Sequence, residues 1–202
     1  MKHTIGIFGG TFDPPHLGHL ILASEAKQQL GLDKVLWVVT PDSPFKTSQN
    51  KSDIEHRVVM VKLAIEPEPA FELSLVELQR PGPHYTIDTL TIIQNEYPQA
   101  SLVLLMGGDS LSQLHEWKDP QGILQIVHKI GVMARPSESR ILGPSTSQLA
   151  GLEQKLAWVS APLLEISSSD IRARIASGRH YRFFLPNAVF EYMQNISVYQ
   201  PR

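Results

Sequence analysis

Gly9-Gly10-Thr11-Phe12-Asp13-Pro14-Pro15-His16-Leu17-Gly18-His19 decides the fold class, because it joins a glycine-rich turn to two histidines three residues apart. The residues before it, 3–8, form a short apolar run that is typical of a strand. The residues after it, 17–30, place apolar side chains at the 3.6-residue period of a helix. The histidines are therefore predicted where a strand's carboxyl end turns into a helix amino terminus, the usual ligand crevice of an open parallel sheet.

This turn has the chemistry of an anion site. The first turn of a helix has unpaired N–H groups and a partial positive charge, which together stabilise a phosphate. On a helix, positions i and i+3 lie about 60° apart around the axis, so His16 and His19 can address one bound group. Gly18 leaves room between them, and Gly9 and Gly10 let the backbone approach a ligand closely. The stretch therefore predicts a phosphate site.

Several other site types are disfavoured by the same sequence. The glycines do not fit the G-x-G-x-x-G dinucleotide fingerprint, and the chain has no G-x-x-x-x-G-K-[ST] loop. A zinc site at His16 and His19 is disfavoured, because there is no cysteine and no evident third or fourth ligand nearby. A dehydrogenase, a P-loop enzyme and a zinc enzyme are all poorly supported.

A second candidate motif is Ile166-Ser167-Ser168-Ser169-Asp170-Ile171-Arg172. Serines followed by the spaced pair Ile171 and Ile175 are typical of a helix N-cap and first turn. Hydroxyls, free N–H groups and a guanidinium at one helix start can hold a polyphosphate. An ordinary serine cap with solvated arginines is the alternative interpretation of this motif taken by itself.

The rest of the chain alternates predicted strands and helices, which indicates a parallel, doubly wound sheet. The predicted fold class is α/β: a Rossmann-like parallel sheet of about five to six strands, helices on both faces, and a short helical part at about residues 166–196. Further strands are predicted at 34–40, 71–75, 102–106, 130–134 and 156–159. Further helices are predicted from Asp53 to about 65 and at 86–96, 121–127 and 186–194, with Pro186 in a first turn.

Length and composition agree with a single domain spanning residues 1–202. The hydrophobic content is 42%, and the net charge of −2 offers no broad basic face for nucleic acid. The absence of cysteine excludes a disulfide framework and thiol catalysis. No apolar run of membrane-spanning length and no signal-peptide pattern occur, so a cytoplasmic location without a membrane partner is expected. A homo-oligomer is expected on general grounds.

Taken together, the two motifs resemble those of the nucleotidylyltransferase superfamily, at residues 16–19 and 166–172. The chain is more closely similar to the nicotinate-nucleotide adenylyltransferases of the bacterial pathway to NAD. This closer resemblance includes Gly9 to His19, Tyr85-Thr86-Ile87-Asp88-Thr89-Leu90, and Gly107-Gly108-Asp109-Ser110 followed by Trp117. It implies adenylyl transfer from ATP to nicotinate mononucleotide, giving deamido-NAD and pyrophosphate.

The resemblance also implies roles for individual residues in ATP binding. His16, His19 and Arg172 are the expected catalytic residues, with His19 stabilising charge at the α-phosphate. Ser168 and Arg172 would hold the β- and γ-phosphates, and Asp109 would contact the ribose. The other expected ATP-binding residues are Gly9, Gly10, Thr11, Phe12, Gly18, Gly107, Ile166 and Ser167. Magnesium is expected to enter with ATP rather than in a protein site.

For the nicotinate mononucleotide, the resemblance implies four residues: Lys46, Tyr85, Thr86 and Trp117. Backbone N–H groups at the Thr86 helix start would hold the carboxylate, and the Trp117 ring would stack on the pyridine. The chain departs from the family at Phe45, at His84 and at Lys118, where members often carry histidine, a small residue and tyrosine.

The sequence is compatible with other activities. The acceptor could be nicotinamide mononucleotide, or the enzyme could use both acceptors. Phosphopantetheine adenylyltransferase shares both motifs but matches residues 85–90 and 107–117 less well. A non-catalytic nucleotide sensor would use the same phosphate cradle, although His16, His19 and Arg172 together favour an enzyme.

Overall fold

The structure, a computed structural model, describes residues 3–42, 52–133, 146–162 and 164–199. The strands in this part of the chain are Thr4–Gly10 (β1), Lys34–Val39 (β2), Phe71–Ser74 (β3), Ser101–Gly107 (β4), Lys129–Met133 (β5) and Leu156–Val159 (β6). Its α-helices are Leu17–Gln29 (α1), Ile54–Ile65 (α2), Thr86–Glu96 (α3), Gly108–Ser112 (α4), Pro120–Ile126 (α5), Leu152–Lys155 (α6), Ser168–Ala176 (α7) and Asn187–Ile196 (α8). Strands and helices alternate as predicted.

The strands form one sheet in the order β3-β2-β1-β4-β5-β6, and every neighbouring pair is parallel. The chain moves outward from β1 to β3 and then returns to the other side of β1 with β4. In the centre, Ile7 of β1 lies opposite Leu36 of β2 and Leu104 of β4. The strand order therefore reverses between β1 and β4, and a ligand crevice is expected where these two strands end.

Two apolar cores cover the two faces of the sheet. Successive residues of a strand point to opposite faces, so Ile5 and Ile7 enter one core while Phe8 enters the other. The first core, which includes Trp37, joins β1 and β2 to α1, α2, α7 and α8. The second joins the strands to α3, α4 and α5. Burial on both faces explains the near-continuous apolar runs of the strands, and it confirms the predicted α/β class.

Small boundary differences have local causes. Pro186 is the N-cap of α8 rather than a residue of its first turn, because its ψ of 144° is extended. Helix α5 begins at Pro120, one residue earlier than predicted, since the Asp119 side chain accepts a hydrogen bond from the Gly122 N–H. Helices α4 and α6 have five and four residues, too short to show a helical period in the sequence.

Candidate active site

The crevice at the switch point is bordered by the glycines that end β1 and β4. Gly9 and Gly10 are the last residues of β1, and Gly107 is the last of β4. A Cβ added at Gly9 or at Gly107 would have no neighbour within 4 Å among the described residues, so open space adjoins the backbone here. The glycines of the predicted phosphate site therefore lie where the strand order reverses.

His16 and His19 lie together at the start of α1. His16 is the N-cap rather than a helical residue, with an extended φ of −141°, and only 6% of it is exposed. The His16 N–H donates to His19 Nδ1 at 3.1 Å, and the two rings stack with centroids 3.7 Å apart. Because Nδ1 of neutral His19 accepts this bond, its proton is on Nε2, which is then a donor for a ligand oxygen.

Two neighbours fix this histidine pair. A Cβ at Gly18 would lie 3.1 Å from His16 Nδ1, so the His16 ring occupies the space beside this glycine. The Phe12 ring lies edge-on to His19, with centroids 5.1 Å apart. Phe12 itself is 1% exposed, with φ at +47°, and its ring packs in the core. We therefore expect Phe12 to contact ATP through its main chain and not through its ring.

The serine-arginine motif begins α7 and contacts the loop after β1. The Ser167 hydroxyl accepts from the Asp170 N–H at 3.1 Å, which confirms the predicted N-cap. The Ser168 hydroxyl donates to the Pro14 carbonyl at 2.9 Å. Arg172 Nη1 donates to the Asp13 carbonyl at 2.6 Å. These bonds bring Arg172 beside the histidine loop, although the two motifs lie far apart in the sequence.

Asp13 lies at the centre of a buried polar network that the sequence analysis missed. Its carboxylate is 2% exposed and accepts from the Ser52 hydroxyl and from the Tyr199 hydroxyl, both at 2.5 Å. The Arg172 guanidinium lies 3.6 Å from the same carboxylate. The only sequence signal was the presence of Asp13 within the glycine-histidine motif, because Ser52 and Tyr199 are distant in the chain.

Arg57 of α2 is a second buried group that sequence reasoning missed. It is 3% exposed and donates to the main-chain carbonyls of Thr11, Thr40 and Pro41, at 3.0, 2.7 and 3.0 Å, and to that of Ser52 at 3.3 Å. Burial lowers the pKa of its guanidinium, and the Asp13 carboxylate opposes this shift. Arg57 thus holds the loops after β1 and β2 together beneath the crevice.

The residues expected to bind the acceptor nucleotide lie around the start of α3. Tyr85 is the N-cap of α3 and Thr86 its first residue. Trp117, which is half-buried, follows the 3₁₀ turn Leu114–Glu116, and its neighbour Lys118 places Nζ 4.4 Å from the Tyr85 ring centroid. The segment of Trp117 and the amino terminus of α3 are therefore adjacent, as the resemblance implied.

The remaining predicted residues have clear positions, with one exception. Asp109 lies in the first turn of α4, after Gly107 as N-cap. The Ile166 carbonyl would lie 3.9 Å from a Cβ at Gly18, so the residues before α7 lie near the histidines. Lys46 lies outside the residues that the structure describes.

The acceptor side also contains a buried charged cluster. The Thr89 hydroxyl donates to Glu77 at 2.6 Å, and Arg80 donates to the Thr89 hydroxyl at 3.2 Å. Glu77 and His84 are both buried, and His84 immediately precedes the N-cap of α3. This cluster supports the turn from which Tyr85 and Thr86 project.

The described residues contain neither a candidate metal cluster nor a helix able to span a membrane. No group of three or more His, Cys, Asp or Glu in residues 3–42, 52–133, 146–162 and 164–199 could hold a metal ion. No helix within these same ranges combines the length and the apolar character needed to cross a membrane.

Comparison with known proteins identifies relatives over nearly the whole chain. The model of the cytidylyltransferase-like family matches residues 7–174. A probable nicotinate-nucleotide adenylyltransferase of Thermomicrobium roseum is 40% identical over 97% of this chain and 91% of its own length. The nicotinate-nucleotide adenylyltransferase of Bacillus subtilis is 36% identical over 97% of this chain and 98% of its own.

A solved structure shares the fold. The nicotinic acid mononucleotide adenylyltransferase of Plasmodium falciparum, complexed with NaAD, superposes with a TM-score of 0.79. The match covers 98% of both chains at 17% identity. At this level of identity, the likeness supports the architecture alone.

Proposed function

The chain belongs to the cytidylyltransferase-like family and, within it, to the nicotinate-nucleotide adenylyltransferases, and from this premise we propose how its residues carry out the reaction. It is a nucleotidyltransferase of NAD biosynthesis that transfers the adenylyl group of ATP to nicotinate mononucleotide. The products are deamido-NAD and pyrophosphate. The observation that carries the assignment of roles is the contact between the two motifs, made by Arg172 Nη1 and the Asp13 carbonyl at 2.6 Å.

We propose that ATP lies with its phosphates between α1 and α7. The His19 Nε2–H donates to the α-phosphate, where negative charge develops, and His16 contacts the adjoining phosphate oxygens. The start of α7 and the Arg172 guanidinium hold the β- and γ-phosphates. Mg²⁺ enters as the ATP complex, since this ion favours phosphate oxygens and water, whereas these protein groups are hydrogen-bond donors.

The chemistry needs little from the protein beyond position and charge. An oxygen of the nicotinate mononucleotide phosphate attacks the α-phosphorus in line, and the bond from this phosphorus to the bridging oxygen of the β-phosphate breaks. Pyrophosphate leaves with that bridging oxygen. The second pKa of a phosphomonoester is about 6, so the attacking group is already ionised at neutral pH and no base is required. Catalysis then rests on alignment and on donors aimed at the transferring group.

The acceptor is proposed to bind at the start of α3. The N–H groups near Thr86 face the nicotinate carboxylate with the positive end of the helix, and Trp117 stacks on the pyridine. Lys118, held over the Tyr85 ring, adds positive charge on the same side, which favours the acid over the amide. Lys46 is proposed as a phosphate contact. Three other points stay predictions. They are the ATP contacts of Gly9, Gly10, Thr11 and Asp109, the cytoplasmic location, and a homo-oligomeric state.

Product analysis tests the assignment directly. Purified protein with Mg²⁺ and ATP is offered nicotinate mononucleotide, nicotinamide mononucleotide or phosphopantetheine, and products are separated by mass-resolved chromatography. Deamido-NAD is the expected main product, because the acceptor site presents positive charge to a carboxylate. NAD formed at an equal rate would overturn the proposed selection of the acid. Absence of any adenylylated product would favour a nucleotide sensor.

Trp117→Ala should raise the KM for nicotinate mononucleotide by about tenfold, because a stacked ring contributes both buried area and directional attraction. The KM for ATP should change by less than about twofold, since the ring lies on the acceptor side. Trp117→Phe, which retains a smaller ring, is the matched control and should give an intermediate KM in initial-rate measurements. Equal effects of Trp117→Ala on both KM values would contradict the stacking role.

A further inference from the structure

Asp13 connects four segments of the chain that meet beneath the crevice. Asp13 itself belongs to the loop that leads to the histidine pair. Its carboxylate accepts from Ser52, just before α2, and from Tyr199, after α8. Its main-chain carbonyl accepts from Arg172 of α7. Asp13 therefore belongs to one of the two motifs proposed to bind phosphate and contacts the other.

The donors around Asp13 are divided between charged and neutral groups. Arg172 Nη1 lies 2.6 Å from the Asp13 carbonyl but 3.6 Å from its carboxylate, beyond ordinary hydrogen-bond distance. The carboxylate instead accepts hydrogen bonds from neutral donors, namely the Tyr199 hydroxyl and the Ser52 hydroxyl. The Ser52 N–H lies 3.3 Å from one carboxylate oxygen and 3.4 Å from the other. Arg172 thus forms an ion pair with the buried acid without a hydrogen bond to its carboxylate, and its hydrogen bond goes to the Asp13 main-chain carbonyl instead.

The Tyr199 hydroxyl is suited to this task. Tyr199 is half-buried, and burial of its hydroxyl, followed by the Asp13 carboxylate, raises its pKa, so the hydroxyl stays protonated and donates a hydrogen bond to Asp13. The Tyr199 and Ser52 hydroxyls both donate to the same oxygen of the Asp13 carboxylate. The two hydroxyl oxygens lie 3.4 Å apart. Without the tyrosine hydroxyl, this carboxylate oxygen would lose one of its two closest donors. Two guanidinium groups lie near this carboxylate, but that of Arg57 is held by four main-chain carbonyls, so that of Arg172 is the one expected to compensate.

We propose that Tyr199 is a positioning residue for adenylyl transfer, which by holding the Asp13 carboxylate leaves the Arg172 guanidinium directed toward the ATP phosphates. This inference rests on the proposed function and extends it to a residue from outside both motifs. It predicts that loss of the Tyr199 hydroxyl impairs turnover more than ATP binding, because Arg172 moves toward Asp13 and away from the leaving group.

Tyr199→Phe removes only the hydroxyl, and Tyr192→Phe is the matched control. Tyr192 lies on α8 and its hydroxyl is paired with His56 Nδ1 at 2.9 Å, away from Asp13. Tyr199→Phe should lower kcat about tenfold, the effect of about 1.4 kcal/mol, while the KM for ATP changes less than about threefold. Tyr192→Phe should change either constant by less than about twofold. Equal kcat values for the two folded variants would overturn the proposal.

A double-mutant cycle tests whether Tyr199 acts through Asp13. In an Asp13→Asn background, Tyr199→Phe should lower kcat by less than about twofold, since the carboxylate that it holds is gone. A full tenfold effect in that background would overturn the proposed route. A general loss of stability would give independent, additive effects instead. Thermal unfolding of each variant shows that the rates are measured on folded protein.

Ser52→Ala provides a second test that does not depend on Tyr199→Phe folding. It removes the other hydroxyl donor to the same oxygen but retains the Ser52 N–H, so kcat should fall about threefold with the KM for ATP nearly unchanged. An unchanged kcat would count against the proposal. If the wild-type protein forms no deamido-NAD, the proposed function itself fails, whereas normal wild-type turnover with an unaffected Tyr199→Phe variant overturns only the positioning role.

Discussion

His19→Ala is expected to lower kcat for deamido-NAD formation by at least about 100-fold, the effect of removing one preorganised donor from developing charge. The His16 N–H donates to His19 Nδ1 at 3.1 Å, which holds the His19 ring in place at the start of α1. ATP binding should weaken far less, because α7 and Arg172 still hold the other phosphates. Initial rates at saturating substrates, with ATP binding measured by calorimetry, separate the two effects.

Two variants control this experiment. His128→Ala removes an exposed histidine at the amino end of β5, whereas the crevice lies at the carboxyl ends of the strands, so kcat should be unchanged. His19→Gln places an amide N–H near the position of Nε2 without the Nδ1 acceptor, so it should recover part of the lost rate. A His19→Ala enzyme with wild-type kcat would exclude His19 from the reaction.

Arg57→Met should lower the free energy of unfolding by about 3–5 kcal/mol, the usual cost of removing one member of a buried charged network. Four main-chain carbonyls lose their donor, and the buried Asp13 carboxylate loses a nearby positive charge. Tryptophan fluorescence, to which buried Trp37 contributes, followed through urea unfolding, measures the change. The loops after β1 and β2 both depend on Arg57, so catalysis should decline in the folded fraction as well.

Arg179→Met is the matched control for Arg57→Met. Arg179 is exposed and donates to the Ser177 hydroxyl at 2.9 Å, so its loss should change the unfolding free energy by less than about 0.5 kcal/mol. Arg57→Lys should give an intermediate result, because an ammonium group cannot reach all four carbonyls as the guanidinium fork does. Equal stabilities of the methionine variants would show that the Arg57 bonds contribute little.

The local features of the fold were predictable because they depend on neighbouring residues. Apolar runs marked the six strands, and Ser167 was identified as a cap from the serines before Ile171. The histidine pair was placed correctly at the end of β1, although His16 is the N-cap and meets His19 by ring stacking rather than by helical spacing. These features are dictated within a few residues along the chain.

The supporting network was not predictable from one sequence. Tyr199 and Asp13 are 186 positions apart, and the Arg57 donors reach carbonyls up to 46 positions away. No periodicity or capping rule couples residues at such separations, because they meet only after the helices pack on the sheet. Main-chain carbonyls, which accept most of these bonds, carry no residue signature at all.

The proposed site combines the loop between β1 and α1 with α7 and Tyr199, which come late in the chain. This arrangement has a consequence for the order in which the protein is made on the ribosome. Domains generally fold as units during synthesis, so a single domain completes its fold once its packed segments have all emerged. A nascent chain that has emerged through β6 contains every strand of the sheet and the histidine pair, but it lacks α7 and Tyr199. Such a chain also lacks α8, and α7 and α8 both contribute buried side chains to the first core. The core and the proposed catalytic arrangement are therefore both expected to be complete only after residues 168–199 have been made.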